Sequence, residues 1–280
     1  MEIRNIRDDK VLITSDVMFA YIMQDEEVCK GTVERILGRS INKISFPEGH
    51  KEIRELLTDK SVILDVYFTD EEGVKYNVEM QRANVGNIPK RSRYYHSKID
   101  SLKTKIGTPY DSLEKSYVIF ICGFDLFDKD KPIYTFRKTC LEEPEIVLQD
   151  EQITIFVNLT SMELDSVDIS LKNMILYMRE EATNDDFTRL LDSKVEEANV
   201  KDKAEGGSLM TLEEKINEEL KYSKEEAKAE GRAEGKAEGK AEERLNTLKK
   251  LIEMIKEGII AKEVIMEKFG YTEEEINKFL

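Results

Sequence analysis

The sequence predicts a mixed α/β domain followed by a charged helical tail, and three observations carry that reading. Strand-like runs alternate with helical segments in the order helix, strands, long helix, strands. At 280 residues with 40% apolar side chains, the chain can bury a full core. Beyond residue 206 the composition changes to a low-complexity charged repeat, "AKAEGRAEGKAEGKAEER".

The elements follow in chain order. "ITSDVMFAYIM" opens a helix: Thr14, Ser15 and Asp16 offer N-cap oxygens, and Phe19, Ile22 and Met23 follow at helical spacing. A second helical segment places Cys29, Val33, Ile36 and Leu37 on one face and stops at Gly38. "INKISF" reads as a short strand. "SVILDVYFTDEEGVKYNVEMQ", residues 61–81, then reads as a hairpin. A helix is expected from about Pro89 to Ile106, with the proline in its first turn and Gly107 at its end. "KSYVIFICGF", "PIYTFRKTC" and "EQITIFVNLT" supply three further strands. The expected divisions are a core over 1–165, a helical extension packed on or near it over 166–205, a charged spacer over 206–244, and a small helical module over 245–280.

In the spacer, glycine at every fourth residue costs about 1 kcal/mol each in a helix, which its charge pairs only partly offset. The final module has an amphipathic stripe through Leu248, Leu251, Ile252 and Ile255 and a capping box from Thr272 to Glu275. That stripe must be buried against the module itself, the body or another copy of the chain. The tail from about Leu209 is expected to be dispensable for chemistry.

Several function classes are disfavoured. The longest apolar run, "YVIFICGF", is too short to span a bilayer, and "MEIRNIRDDK" carries no hydrophobic signal segment. Cys29, Cys122 and Cys140 are odd in number and form no CxxC pair, which fits reduced cytoplasmic thiols better than disulfides or zinc. Cys122 and Cys140 are expected to be buried and inert. His50 and His96 lie too far apart in sequence for a histidine metal cage. A formal charge of −15 disfavours indiscriminate nucleic-acid binding while leaving room for a local basic patch.

The hairpin sets two carboxylates inside strands, where an unpaired buried charge is costly. A three-residue loop, Glu71-Glu72-Gly73, fits a type I turn closed by a left-handed glycine. Pairing is then centred on Glu72, with Tyr67 opposite Asn77 and Asp65 opposite Glu79. Opposed residues share a face, and Gln81 lies on that face too. Val62, Leu64, Val66, Phe68, Val74, Tyr76, Val78 and Met80 carry the other. A divalent cation between Asp65 and Glu79 removes their repulsion, and oxygen-only ligands suit Mg²⁺ or Mn²⁺.

An Asp in one strand, Glu-x-Gln in the next and then a helix resembles the core of the PD-(D/E)XK nucleases. "ILDVYFTDEEGVKYNVEMQ", "KRSRYYHSKI", "GTPYDSLEKSYVIFICGF" and "SDVMF" resemble its recombination-promoting branch, the PD-(D/E)XK family transposases. The resemblance implies a restriction-endonuclease-like core with a mixed central sheet. It makes Asp65 and Glu79 metal ligands, with the backbone carbonyl of Met80 as a third. It implies a DNA substrate and roles in recombination, transposition or defence. Gln81 stands where the superfamily usually has lysine, and Ala20 where the branch tends to have lysine.

Helical phase supplies a replacement charge. Tyr95, Ile99, Leu102 and Ile106 form the core-facing stripe of the helix after the hairpin. Arg91 lies one turn earlier on that stripe, so it is expected to meet the scissile phosphate, to orient Glu79, or to form a structural ion pair. Lys98 sits at the margin and Arg93 on the far side. Lys90, Arg91, Arg93, Lys98, Lys103 and Lys105 form the most basic stretch and the expected DNA contact. Asp16 and Glu34 are weaker acidic candidates, the first read as a helix cap and the second as solvated surface. Tyr94 suits base stacking and Tyr95 packing. Two functions remain: a metal-dependent DNA endonuclease, or an interaction protein on a nuclease-like fold that assembles through its C-terminal helices.

Overall fold

A computed structural model describes residues 3–4, 6–46, 66–84, 86–101, 109–207, 209–214, 243 and 245–280. The chain divides into two compact units, Met1–Asn217 and Glu218–Leu280.

The first unit is α/β. A two-residue hairpin, β1 (Ile6–Arg7) and β2 (Lys10–Val11), precedes α1 (Asp16–Ile22) and α2 (Glu26–Leu37). Helix α2 starts on the Asp25 side chain, which accepts from Glu27 N and Val28 N, and ends at left-handed Gly38. Then come β3 (Ile44–Ser45), β4 (Val66–Asp70), β5 (Lys75–Gln81), α3 (Ile88–Ser101), β6 (Ser116–Cys122), β7 (Ile133–Phe136) and β8 (Gln152–Asn158). Helices α4 (Ile169–Met178) and α5 (Asp186–Ala204) follow.

The strands form one mixed sheet in the order β3-β4-β5-β6-β8-β7. The pairs β5–β6 and β6–β8 are parallel and the rest antiparallel. Strand β6 is buried along its whole length, as a central parallel strand covered on both faces should be. One face of the sheet, with Val66, Phe68, Tyr76, Val78, Ile119 and Ile155, packs on α1, α2, α4 and α5 in the main core. On the other face, Val118, Phe120, Cys122 and Phe156 pack under Ile88 and Ile99 of α3.

The hairpin has the expected three-residue loop. Gly73 takes φ +85°, the Gly73 N–H donates to Asp70 O, and the Asp70 carboxylate accepts from Glu72 N and Val74 N. The register pairs Tyr67 with Asn77 and Val66 with Val78. Residues 215–242, most of the expected spacer, lie outside the described residues.

Two differences from the sequence reading concern the chain's later part. The sequence places the spacer's start at 206, yet Leu209 and Glu213 are buried within the first unit. Gly206 and Gly207, at φ +100° and +73°, adopt conformations that L side chains rarely reach, and helical residues 209–214 follow. The Asp202 side chain accepts from Leu209 N at 2.8 Å. Cys140, expected to be buried, is half-exposed in the β7–β8 connection, where its thiol donates to Glu142.

In the second unit, helical residues 245–256, α6 (Lys262–Phe269) and α7 (Glu273–Asn277) bury Leu248, Leu251, Ile252, Ile265, Tyr271 and Ile276 together. Thr272 and Glu275 cap α7 reciprocally. Among the described residues, no helix is long and apolar enough to cross a membrane.

Candidate active site

Strand β5 alternates. Tyr76, Val78 and Met80 enter the main core, while Lys75, Asn77, Glu79 and Gln81 point to the α3 side. Lys75, Asn77 and Glu79 are buried there, so that side is covered rather than solvated. Each polar group has a partner. Lys75 pairs with Glu114 at 3.0 Å, and Asn77 Nδ2 donates to Glu79 Oε1 at 3.4 Å.

Glu79 is only 2% exposed, and its Oε2 is the focus of the site. Arg91 Nη2 donates to it at 2.6 Å and Gln81 Nε2 at 3.2 Å. Arg91 Nη1 donates to Gln81 Oε1 at 2.8 Å, and Nη2 also reaches the Tyr95 hydroxyl at 2.8 Å. The guanidinium lies 5.5 Å from the Tyr95 ring centroid and 6.0 Å from that of Phe120. A buried carboxylate thus acquires a charged partner with several anchoring bonds, the condition under which a buried pair is tolerated. Gln81 Nε2 also donates to the Met80 carbonyl at 3.0 Å.

Asp16 is not the cap of α1. Ser15 is: its Oγ accepts from Met18 N at 3.1 Å, and Asp16 stands in the first turn. Asp16 Oδ1 is buried and has no hydrogen-bond partner. Burial and the charge of Glu213 push its pKa up to about 7, against the pull of Arg82 and Arg91. Asp16 therefore belongs to the same electrostatic neighbourhood as the Glu79–Arg91 pair. Its half-buried position at the start of α1, which contacts β5, is what the sequence could not display.

The other candidates separate. Glu34 accepts from Ile41 N at 2.7 Å and closes the chain after Gly38, which is a structural task rather than solvated surface. Lys90, Arg93 and Tyr94 are exposed on α3, Lys98 is half-buried, and Arg91 is turned inward rather than lying on that outer surface. Asp65, Lys103 and Lys105 lie outside the described residues. Within α3 the buried positions are Ile88, Ser92, His96 and Ile99. His96 Nδ1 and Nε2 lie 2.8 Å from Ser116 Oγ and 3.1 Å from Thr154 Oγ1, and burial pushes its pKa down to about 4. It is a neutral core imidazole. Cys122 is likewise inert, its thiol pushed up to about 12 by burial.

Sequence reasoning passed over two residues. Arg82 follows Gln81 directly, and Glu213 lies far along the chain; Arg82 Nη1 approaches Glu213 Oε1 at 3.5 Å. Proximity to the motif was a usable signal for Arg82. Nothing local marks Glu213.

Among the described residues, no three His, Cys, Asp or Glu side chains converge closely enough to hold a metal. Glu79, Asp16 and the Met80 carbonyl nevertheless present hard oxygen donors, and the unpartnered Asp16 Oδ1 is an oxygen that a cation would satisfy. Oxygen donors of this kind suit a hard divalent cation.

No curated protein and no solved structure matches the chain. The family model described as PD-(D/E)XK nuclease family transposase matches residues 17–237. That span begins one residue after Asp16 and includes the β4–β5 hairpin, α3, the parallel strands and Glu213. With this match over most of its length, and with a mixed six-stranded sheet between helices, the chain belongs to the PD-(D/E)XK nuclease family transposases.

Proposed function

We propose that the protein is a metal-dependent endonuclease that hydrolyses DNA phosphodiester bonds in recombination, transposition or defence against foreign DNA. The observation that carries this reading is the buried Glu79 carboxylate, held by Arg91 in the electrostatic reach of Asp16 and its unpartnered oxygen. Glu79, Asp16 and the Met80 carbonyl are proposed to hold Mg²⁺ or Mn²⁺, with Asp65 as the further acid that the family resemblance supplies. When bound, the cation would lower the pKa of a water and offset phosphate charge.

The protein's own groups do the rest. Glu79 is oriented by Asn77, Gln81 and Arg91. Gln81 cannot carry the charge of the usual motif lysine. Arg91 brings a permanently protonated group to that corner, 2.8 Å from Gln81 Oε1, and is proposed to meet the scissile phosphate. Lys90, Arg93 and Lys98, with Lys103 and Lys105 outside the described residues, are proposed as phosphate contacts that position the duplex.

A second reading is favoured by the completeness of Arg91's bonds: a guanidinium engaged by Glu79, Gln81 and Tyr95 could be a permanent counterion in a nuclease fold that binds partners without cutting. Supercoiled plasmid incubated with purified protein and Mg²⁺, Mn²⁺ or EDTA separates the two. Nicking and linearisation with either metal and none with EDTA are expected. Cleavage unaffected by EDTA, or absent with both metals, overturns the endonuclease reading. Arg91→Lys should then retain DNA binding but lose about tenfold in cleavage rate, because a lysine cannot make the two-pronged contact to Glu79 and Gln81.

A further inference from the structure

The start of the tail reaches the site. Glu213 is 1% exposed, an unusual state for a carboxylate. Its Oε2 accepts from Ser15 Oγ at 2.6 Å, and its Oε1 lies 3.5 Å from Arg82 Nη1. Ser15 Oγ is also the acceptor that caps α1 through Met18 N. One hydroxyl therefore links Glu213 to the turn that carries Asp16. Arg82 continues β5 beyond Gln81, so the other contact reaches the strand that carries Glu79. The helical residues 209–214 are themselves pinned, by Asp202 to the Leu209 N–H and by Leu209 in the main core.

We propose that Glu213 is a positioning residue of the nuclease site, acting through Ser15 and Arg82 to hold the first turn of α1 against the end of β5. The proposal rests on the endonuclease reading and deepens it: Asp16 and Glu79 sit on different elements, and Glu213 holds a neighbour of each. A carboxylate there is costly to bury without partners, and Ser15 and Arg82 supply them. The expected role is to fix the separation of two oxygen donors, which a productive site needs held within about 0.5 Å. The segment is thus part of the active-site scaffold, whereas its composition reads as the beginning of a spacer.

The test uses the full chain as wild type, Glu213→Ala and Glu213→Gln. Single-turnover plasmid cleavage, DNA affinity measured with Ca²⁺ in place of Mg²⁺, and binding of Mn²⁺ alone followed by its paramagnetic signal are compared. Glu213→Ala should lose at least about tenfold in cleavage rate and about fivefold in Mn²⁺ affinity, with DNA affinity changed by less than about twofold. Glu213→Gln, which keeps an acceptor for Ser15, should recover part of both losses. Glu213→Ala with wild-type Mn²⁺ affinity and cleavage overturns the proposal. So does a uniform loss of DNA affinity, Mn²⁺ affinity and cleavage in both variants, which marks a purely structural role. If the wild type binds Mn²⁺ but does not cut, the endonuclease reading fails alone, and the Mn²⁺ titration still decides the role of Glu213. A wild type that neither cuts nor binds Mn²⁺ overturns both.

Discussion

The two faces of the central sheet are built from the same strands and do different things. On the face toward α1, α2, α4 and α5, β4 and β5 present Val66, Phe68, Tyr76, Val78 and Met80, and the contacts are mostly apolar or aromatic, with the Tyr76 hydroxyl donating to Asp70 Oδ2 at 2.7 Å. Phe68 stacks on Tyr76, and Tyr76 on Tyr117, at 4.7 and 5.3 Å between ring centroids. On the face toward α3, the same β5 presents Lys75, Asn77, Glu79 and Gln81, each tied to a polar partner. Apart from the Tyr76 hydroxyl, the first face tolerates apolar replacements of the right shape. The second is specific: each polar group there is tolerated only because a named partner meets it. A stabilising face and a chemical face back to back let one sheet hold a charged site rigidly.

The contrast can be broken from either side. On the apolar face, Phe68→Ala removes a fully buried ring and should cost about 3–5 kcal/mol of stability, read by urea or thermal unfolding. A loss below about 1 kcal/mol would mean that the first face is not the main source of stability. On the polar face, Glu79→Ala takes the shared acceptor from Arg91, Gln81 and Asn77, so it should cost about 1–3 kcal/mol of stability and lower metal-dependent cleavage at least about 100-fold, or about 2.7 kcal/mol in barrier. Cleavage at wild-type rate would remove Glu79 from the site.

The smallest effect sharpens the picture at the edge of the site. Burial and the nearby Glu213 charge raise the Asp16 pKa in the folded protein to about 7, well above the ordinary carboxylate range. The stabilising contribution of its protonated form is complete below the unfolded value and is lost as pH rises through the folded one. In EDTA, Asp16→Asn should therefore raise the melting temperature by about 2–4 °C at pH 8, and the gain should shrink toward zero near pH 4. Thermal scans of both proteins across that range check it. A gain independent of pH would mean that Asp16 is not a strained carboxylate in the metal-free protein.

Much of this was legible from local pattern. The glycine and the loop length specify the hairpin register, because a one-residue slip would turn every apolar side chain of β5 outward. Arg91 follows from helical phase, since four residues separate it from Tyr95 and both lie on the side that meets the sheet. What local pattern could not show is which distant segments cover the polar face. Lys75 and Asn77 carry polar side chains on a strand, yet both are buried, Lys75 against Glu114 and Asn77 against Glu79. The burial of His96 in α3 is tolerated because Ser116 and Thr154 meet its two ring nitrogens. Asp16 reads as a cap because its neighbours are cap residues, and only the packing of α1 on β5 sets Ser15 in that role instead. Arg82 and Glu213 carry no periodic signal, since their meaning lies in a contact with a sequence separation of 131 residues.

The Ser15–Glu213 hydrogen bond joins residues 198 apart in sequence. Closing so long a loop has an entropic cost that precedes any stabilising contact, and parallel pairing of β5, β6 and β8 adds further slow, non-local steps. During synthesis the β4–β5 hairpin and its carboxylates emerge well before Glu213 does. At a typical elongation rate of about 5–20 residues per second, the 132 residues from Arg82 through Glu213 take roughly 7–26 seconds to follow. Until the tail's first turn arrives, the motif exists on the ribosome as a hairpin without its scaffold. The geometry of the site is in this sense timed by chain length: a fragment released early carries the hairpin but lacks Glu213, the residue proposed to position it.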